Sequence, residues 1–261
     1  MNKKIYFASD IHLGMYPIEE SKERERKLVN WISSIQDEMS ELYLLGDIFD
    51  FWHEYKYVIP KGFSRFMGKI AELTDKGIPV HFFTGNHDVW MYGYFKDELG
   101  VEIHKYPIEK VINGKKFLLG HGDGIVKEDW SYNILKKIFA TPSLQWLFAR
   151  LHPNLALWFG ANWSKHSRYS KGLAPEGYLG DDNEFQVKHA INTLKTTHYD
   201  YIIWGHRHLP MDATINEKTH LINLGDWIYN FTYACFDGNN VRVDSIMEER
   251  KKNILFKQIT T

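Results

Sequence analysis

Strand-like and helix-like segments alternate along most of this 261-residue chain. Residues 4–9 form a short run of β-favouring side chains, residues 19–40 carry apolar side chains at helical spacing, and residues 41–45 are again strand-like. The pair repeats as a predicted helix at 63–76 and a predicted buried strand at 79–84. Because such alternation is typical of sheets covered by helices, we expect an α/β fold, a β-sandwich flanked by helices.

The later part of the chain predicts antiparallel strands that join this sheet. Two apolar runs, 108–112 and 115–119, flank Asn113-Gly114, the dipeptide that most favours a tight hairpin. A helix is predicted over 181–197 and a strand over 201–204. Further strands are predicted as one meander at 212–215, 220–223, 232–236 and 241–246. The charged end, residues 248–261, shows no pattern, and we expect a solvated tail.

The segment 125–172 breaks the alternation, because it is a run of helical patterns punctuated by Pro142, Pro153 and Gly160. We expect an inserted helical lid here, with the core formed by residues 1–124 and 173–261. The insert holds seven lysine and arginine residues against two acidic ones, a net of +5, while the remainder of the chain carries −6. It is also rich in aromatic side chains, namely Trp130, Tyr132, Phe139, Trp146, Phe148, Trp158, Phe159 and Trp163.

Composition excludes several classes of protein. The net charge of −1 would not attract a polyanion, so nucleic acid is not expected as a partner. The single cysteine, Cys235, has no disulfide partner, which agrees with a reducing compartment. No segment has the pattern of a signal peptide or the length of a membrane span, so we expect a cytoplasmic protein that at most touches a membrane surface. No pattern indicates an oligomeric state.

Five short polar motifs follow strand-like runs. They are Asp10-Ile11-His12, Gly46-Asp47-Ile48-Phe49-Asp50, Gly85-Asn86-His87-Asp88, Gly120-His121-Gly122-Asp123 and Gly205-His206-Arg207-His208. Side chains at the carboxyl ends of strands converge on one crevice, so these motifs should meet. In extended backbone, the one-residue spacing of Asp10/His12 and of His206/His208 directs both members to the same side, which suits the chelation of an ion. The glycines give permissive backbone for tight turns and for close approach of a phosphate.

The motifs supply seven nitrogen and oxygen donors and no thiolate. The predicted metal ligands are Asp10, His12, Asp47, Asn86, His121, His206 and His208. This donor set suits Mn²⁺, Fe²⁺, Zn²⁺ or Mg²⁺, with Mn²⁺ as our first choice. Seven ligands are too many for one ion with open positions, so we expect two ions about 3.5–4 Å apart, bridged by Asp47. Two such ions can hold phosphate oxygens and activate water for attack on phosphorus.

Three further residues of these motifs are candidates for supporting roles. His87 stands next to Asn86, where its ring could stabilise the transition state or protonate the leaving oxygen. Asp50 and Asp88 could orient His87 or a metal ligand. The alternative for both aspartates is simple turn capping.

Together the five motifs resemble the calcineurin-like metallophosphoesterase superfamily. Within it the chain resembles the UDP-2,3-diacylglucosamine hydrolases of lipid A biosynthesis, through Ser9-Asp10-Ile11-His12-Leu13-Gly14, Gly46-Asp47-Ile48-Phe49-Asp50-Phe51-Trp52, His121-Gly122-Asp123, the helical insert and Asn223-Leu224-Gly225-Asp226-Trp227. The resemblance implies that one ion takes Asp10, His12, Asp47 and His208, and the other Asp47, Asn86, His121 and His206.

The resemblance also implies an activity. It is hydrolysis of the pyrophosphate bond of UDP-2,3-diacylglucosamine to UMP and the acylated sugar 1-phosphate, on the cytoplasmic face of the inner membrane of a Gram-negative cell. One residue departs from the pattern: the best-known branch of these hydrolases has Arg after the metal-binding Asn, where this chain has His87. The departure bears on the substrate more than on the type of reaction.

The lid supplies the predicted substrate contacts. They are Asp129, Tyr132, Asn162, Ser164, Lys165 and Arg168. The aromatic surface of the lid would hold acyl chains, and its cations would face a diphosphate or anionic headgroups. The alternative is that the aromatic side chains only pack the insert against the core.

Two other functions are compatible with the five motifs. One is a soluble phosphodiesterase or nucleotide pyrophosphatase of the same superfamily, against which the aromatic, basic insert argues. The other is a catalytically inactive scaffold that binds proteins, against which the complete ligand set argues.

Overall fold

The computed structural model describes residues 3–125, 137–139, 141–171 and 177–260, with only the helical backbone for 166–171. The described chain forms two six-stranded sheets. The strands of the first sheet are β1 (Lys4–Ala8), β2 (Met39–Leu45), β3 (Val80–Phe83), β4 (Glu102–His104), β10 (Thr232–Phe236) and β11 (Val241–Ser245), in the order β11-β10-β1-β2-β3-β4. Strands β1 to β4 are parallel, and β10 and β11 continue the sheet in antiparallel fashion.

The second sheet has the order β12-β8-β9-β7-β6-β5. Its strands are β5 (Ile108–Ile112), β6 (Lys115–Leu119), β7 (Tyr201–Trp204), β8 (Pro210–Ile215), β9 (Thr219–Leu224) and β12 (Leu255–Ile259). Strands β6, β7 and β9 are parallel, and β5 and β6 form the antiparallel hairpin predicted around Asn113-Gly114.

Helices flank this sandwich. They are α1 (Ile18–Ile35), α2 (Ser64–Asp75), α3 (Tyr94–Leu99), α4 (Pro142–Phe148), α5 (Pro153–Lys171) and α6 (Phe185–Leu194), with short 3-10 helices at Gln36–Glu38 and Glu248–Asn253. One buried cluster joins the first sheet to α1, α2 and α3, and another joins the second sheet to α6. The third cluster, which includes Phe7, Tyr43 and Phe117, lies between the sheets. Burial on both faces explains the continuous apolar runs of the strands, and the predicted α/β sandwich is confirmed.

Three details of the predicted elements are wrong. The first helix ends at Ile35 rather than at residue 40, because Met39 is fully buried and pairs with Lys4 as the first residue of β2. The four later strands are not one meander, since β8 and β9 lie in the second sheet while β10 crosses to pair with β1. The end of the chain is not a solvated tail, because β12 pairs in parallel with β8 along its whole length.

Candidate metal centre

The five polar motifs lie at the carboxyl ends of neighbouring strands. Strands β1, β2 and β3 are adjacent in the first sheet, and β6 and β7 are adjacent in the second. The loops are bonded to each other: the backbone N–H of Asp10 donates to the carbonyl of Gly46 at 3.1 Å, and that of Gly205 donates to the carbonyl of His121 at 2.9 Å. The motifs therefore meet at one crevice, as their position after strands predicts.

Most of the predicted ligands have left-handed backbone. The φ angles are +54° at Asp10, +50° at His12, +53° at Asp47, +68° at His206 and +54° at His208. This region costs about 1–3 kcal/mol for a non-glycine residue and persists only where the surroundings enforce it. The extended backbone predicted at Asp10/His12 and at His206/His208 is therefore wrong. Left-handed turns, with their local strain, instead bring the side chains of the strand ends together.

One group of donors comes from Asp10, His12 and His208, whose candidate ligand atoms lie within 4.8 Å of one another. His208 Nε2 is 3.2 Å from Asp10 Oδ1 and 3.3 Å from His12 Nε2. Burial lowers the pKa of His12 to about 4, so its ring is a neutral nitrogen donor near neutral pH.

A second group comes from Asp47, His121 and His206, again within 4.8 Å of one another. His121 Nε2 lies 3.3 Å from Asp47 Oδ2, and His12 Nε2 of the first group lies 3.9 Å from the same oxygen. Asp47 therefore stands between the two groups. Asn86 Oδ1 is buried and has no hydrogen-bond partner among the described residues.

The surroundings of His121 indicate that a cation fits this site, since its Nε2 is buried without a hydrogen-bond partner among the described residues. Its Nδ1 is 2.7 Å from the carbonyl of Leu45, which can only accept, so Nδ1 carries a proton. A neutral ring would then direct the lone pair of Nε2 at the Asp47 carboxylate, and two buried acceptors 3.3 Å apart require a positive charge between them. Burial opposes a charged ring, but Asp47 outweighs it and raises the pKa of His121 well above its usual value. Only a proton or a metal ion satisfies this pair.

Asp88 fixes the loop that carries Asp47. Its carboxylate accepts backbone N–H bonds from Gly85 at 2.7 Å, Ile48 at 2.8 Å, and Asp47 and Phe49 at 3.3 Å. Burial, reinforced by the Asp47 carboxylate, raises the pKa of Asp88 to about 7. Asp88 thus caps the turn, and by doing so it sets the position of a predicted ligand.

His87 faces the same crevice from the loop after β3. Its Nδ1 lies 2.9 Å from the carbonyl oxygen of Asp50, so this nitrogen carries a proton, and 3.0 Å from the hydroxyl of Ser164 in α5. One of its ring nitrogens lies within 4.8 Å of donor atoms of His12 and Asp47. The Asp50 carboxylate is 3.4 Å from His12 Nδ1, so Asp50 contacts a predicted ligand with its side chain and His87 with its backbone.

The glycines before the ligands are required by the ligands themselves. A Cβ on Gly85 would lie 2.2 Å from Asp47 Oδ1, one on Gly205 would lie 2.4 Å from Asp10 Oδ2, and one on Gly46 would lie 2.6 Å from His121 Nδ1. Side chains at these positions would collide with the donor groups. The groups that approach these glycines closely are therefore the ligand side chains, whereas the sequence analysis predicted a phosphate there.

The predicted substrate contacts fall in different surroundings. Ser164 is buried against His87, Lys165 lies over the ring of Tyr16 at 4.8 Å, and the amide of Asn162 is exposed and donates to the carbonyl of Trp158 in its own helix. Asp129, Tyr132 and the side chain of Arg168 lie outside the described residues.

Several residues that support the site were not predicted from the sequence. The guanidinium of Arg24 in α1 donates to the carbonyls of Ile11 and His12 at 3.2 and 2.9 Å. The side-chain amides of Gln186 and Asn223 both donate to the carbonyl of Gly205 at 2.8 Å. The motif containing Asn223 was noticed only through its resemblance, and neither Arg24 nor Gln186 stands out within its helix.

A family profile described as calcineurin-like phosphoesterase matches residues 3–210, which include all five motifs. This chain belongs to the calcineurin-like phosphoesterase family. It is therefore a metal-dependent hydrolase, and divalent metal ions are its cofactors.

Named relatives cover nearly the whole chain. A UDP-2,3-diacylglucosamine hydrolase of Porphyromonas gingivalis is 38% identical over 94% of this chain and 98% of its own length. Hydrolases of the same name from Histophilus somni and Neisseria meningitidis are 28% and 29% identical, each over 86% of this chain and over 92% and 90% of their own lengths. In the described part of the chain, no helix has both the length and the apolar character that crossing a membrane requires.

Proposed function

We propose that this phosphoesterase hydrolyses the pyrophosphate bond of UDP-2,3-diacylglucosamine, giving UMP and 2,3-diacylglucosamine 1-phosphate. The observation that carries the proposal is the 38% identity, over almost the full length of both chains, to a relative of that name. The converging motifs supply a site for phosphate chemistry, and the exposed aromatic side chains of α4 and α5 supply apolar surface next to it.

The two donor groups are proposed as the ligands of two ions. Asp10, His12, Asp47 and His208 would hold one, and Asp47, Asn86, His121 and His206 the other, with Mn²⁺ in both positions. Such a pair supplies Lewis acidity toward phosphoryl oxygens and an activated water at neutral pH. The protein supplies the neutral imidazoles, the shared Asp47 carboxylate and the strained turns that hold them in place.

His87 is proposed as the catalytic proton donor. The carbonyl of Asp50 holds one proton on Nδ1, so the imidazolium form of the ring would carry its second proton on Nε2, from which it would pass to the leaving oxygen. Ser164 contacts the same Nδ1 from the lid, which ties the orientation of the ring to the position of α5. Asp50 and Asp88 act through other residues, the first through His12 and His87 and the second through the Asp47 loop.

Residues 125–172 are proposed as a lid over residues 1–124 and 173–261. Its described aromatic side chains divide into two kinds. Phe139 and Phe148 pack against Trp90 of the core, and their ring centroids lie 5.2 and 5.1 Å from that of Trp90. These two contacts are the kind expected if the insert only packs against the core. Four others are exposed instead, namely Trp146, Trp158, Phe159 and Trp163.

The exposed aromatic rings are the proposed surface for acyl chains. A cavity of about 490 Å³ lies between α4 and residues 54–58, with Trp146, Tyr57 and Val58 in its wall. Its size suits part of a lipid chain. With the basic side chains of the insert, including Lys165, the same surface would place the protein on the cytoplasmic face of the inner membrane.

A comparison of substrates tests the proposed function. Purified protein with Mn²⁺ should release UMP from UDP-2,3-diacylglucosamine with a far higher kcat/KM than from unacylated UDP-N-acetylglucosamine or from a simple phosphodiester. Preference for the unacylated nucleotide or the simple diester would favour a soluble pyrophosphatase or phosphodiesterase. Failure to hydrolyse any of the three, with metal bound, would favour an inactive scaffold.

A further inference from the structure

A further group of metal-type donors, separate from the two groups of the phosphoesterase site, lies on strands β3 and β4. His81 belongs to β3, and Glu102 and His104 belong to the edge strand β4. In the parallel register His81 pairs with Glu102, and Phe83 pairs with His104, so all these side chains share the face turned toward the second sheet. None of them belongs to the five motifs of the phosphoesterase site.

The distances within this group are those of ligands around one ion. His81 Nδ1 is 3.1 Å from His104 Nε2 and 3.1 Å from Glu102 Oε2, and His104 Nε2 is 3.6 Å from Glu102 Oε1. Donors of a tetrahedral Zn²⁺ lie about 3.3–3.6 Å apart, since its bonds to nitrogen and oxygen are about 2.0–2.2 Å long. Two imidazoles and one carboxylate are thus already gathered to within a few tenths of an ångström of a coordination sphere.

The rings are held in place from both sides. The His81 ring stacks on Tyr43 at 4.3 Å, and the His104 ring stacks on Phe83 at 4.6 Å. His81 is only 6% exposed. In contrast, the side chain of Glu102 is 64% exposed, so the group opens to solvent on one side, where an ion can enter and a water can complete its shell.

A further carboxylate favours the tautomer of His81 that a metal needs. Glu41 Oε2 lies 3.3 Å from His81 Nε2 and is itself held by Lys110 Nζ at 2.7 Å and by the Tyr43 hydroxyl at 2.6 Å. A negative charge beside Nε2 favours a proton there, which leaves the lone pair of Nδ1 directed at His104 and Glu102. Carboxylates in this position behind a ligand histidine orient the ring and increase its basicity.

Without an ion, the group is hard to satisfy. If the neutral His81 ring carries its proton on Nε2, the lone pair of Nδ1 lies 3.1 Å from the Glu102 carboxylate. If the proton is on Nδ1, the lone pair of Nε2 lies 3.3 Å from Glu41. A cation bound at Nδ1 removes this conflict, because Nε2 can then carry its proton toward Glu41 while the lone pair of Nδ1 bonds the ion.

We propose that His81, His104 and Glu102 form a mononuclear transition-metal site, separate from the phosphoesterase centre, that takes Zn²⁺ and fastens the edge strand β4 to β3. Two imidazoles with one carboxylate are donors that Zn²⁺ accepts readily, whereas Mg²⁺ and Ca²⁺ prefer oxygen alone. Strand β4 is three residues long, so its pairing with β3 has little backbone support, and an ion bound by both strands would strengthen it.

The test is the zinc content of the full-length protein after incubation with Zn²⁺ and gel filtration, measured by inductively coupled plasma mass spectrometry. His104→Gln and Glu102→Gln should each hold one zinc ion fewer per chain than the unchanged protein. His198→Gln is the matched control, because that side chain is 62% exposed and lies 4.0 Å from a single carboxylate, Asp200. It should bind as much zinc as the unchanged protein.

Hydrolysis and folding are followed in parallel. The Glu102→Gln variant should keep its circular dichroism spectrum and its Mn²⁺-supported rate of hydrolysis, so a lost zinc ion cannot be attributed to misfolding or to the phosphoesterase centre. Equal zinc content in the unchanged protein and in both variants would overturn the proposal. This outcome is independent of whether the proposed substrate is correct.

Discussion

Arg24 is buried beneath the loop that carries Asp10 and His12, although most charged residues of α1 are exposed. Its guanidinium donates to two carbonyls of that loop. Residues that orient metal ligands typically contribute about 10–100-fold to metal affinity, so we expect Arg24→Met to weaken Mn²⁺ binding by about that factor. The measurement is the Mn²⁺ concentration that gives half-maximal hydrolysis.

Arg26→Met is the control for this change, because Arg26 lies on the same helix with a side chain 47% exposed and paired only to Glu23 among the described residues. It should behave like the unchanged protein. Recovery of the Arg24→Met rate at high Mn²⁺ would show that the residue acts through the ligands. An unchanged requirement for Mn²⁺ in Arg24→Met would contradict this role.

His87 gives a second prediction for a single residue. If its ring donates a proton to the leaving oxygen, His87→Ala should keep its metal content but lose about 10²–10⁴-fold in kcat, with a smaller loss on substrates whose leaving group needs no proton. His87→Arg keeps a charge but has no proton to release near neutral pH. Partial activity of His87→Arg would show that charge stabilisation dominates. Retention of the full kcat by His87→Ala on a poor leaving group would remove the catalytic role.

The predicted ligands could be found from the sequence because each is a distinctive residue type directly after a strand. Arg24 could not be found in this way, since it stands in the segment 19–27 among seven other charged residues. Only the folded structure shows that Arg24 is buried. The left-handed turns could not be predicted either, because a positive φ is uncommon for residues other than glycine and their type does not indicate it. These turns are at Asp10, His12, Asp47, His206 and His208.

At the level of elements, the lack of a side chain at Gly160 lets α5 pack closely against the core. A Cβ at this position would lie 2.3 Å from the Phe51 ring, which itself packs against Trp90 and Phe148. Gly160→Leu should therefore push α5 away from the core, and with it the contact between Ser164 and His87. Since acyl chains contribute binding energy remote from the reacting bond, kcat/KM for the acylated substrate should fall at least about tenfold.

A small phosphodiester whose leaving group needs no proton serves as the reference substrate for this change. Because its hydrolysis would depend little on His87 or on acyl binding, its turnover should fall far less. Ala161→Leu is the control variant, because Ala161 is the exposed neighbour of Gly160 in the same helix. Equal losses on both substrates in Gly160→Leu would show that the lid helices only pack against the core and do not bind acyl chains.

The elements that the sequence predicted well are those with buried faces on both sides or with strong turn chemistry, such as β3 and the hairpin at Asn113-Gly114. The end of the first helix was misplaced because the run from Ile35 to Met39 continues the apolar spacing of α1, while pairing with β1 decides where β2 starts. Strand β12 was missed because its alternating exposed residues, Phe256 and Gln258, resemble a solvated tail until the edge of β8 is present to pair with.

At the scale of the whole molecule, the sandwich places ligands from two sheets within a few ångströms of one another. Three ligand-bearing loops come from the first sheet and two from the second, so the site forms only when both sheets pack through the cluster of Phe7, Tyr43 and Phe117. The order of the strands could not be read from the motifs, because β10 enters the first sheet from the far end of the chain.

We propose that seven converging side chains hold the divalent ions on which hydrolysis depends. The most direct measurement is the rate of UMP release from UDP-2,3-diacylglucosamine by protein stripped with a chelator and then titrated with Mn²⁺. We expect no release after stripping and full recovery with Mn²⁺. Because the two-ion chemistry requires Asp47 as the ligand common to both positions, we expect no recovery in Asp47→Ala. Full activity of the stripped protein after exhaustive chelation would contradict the account.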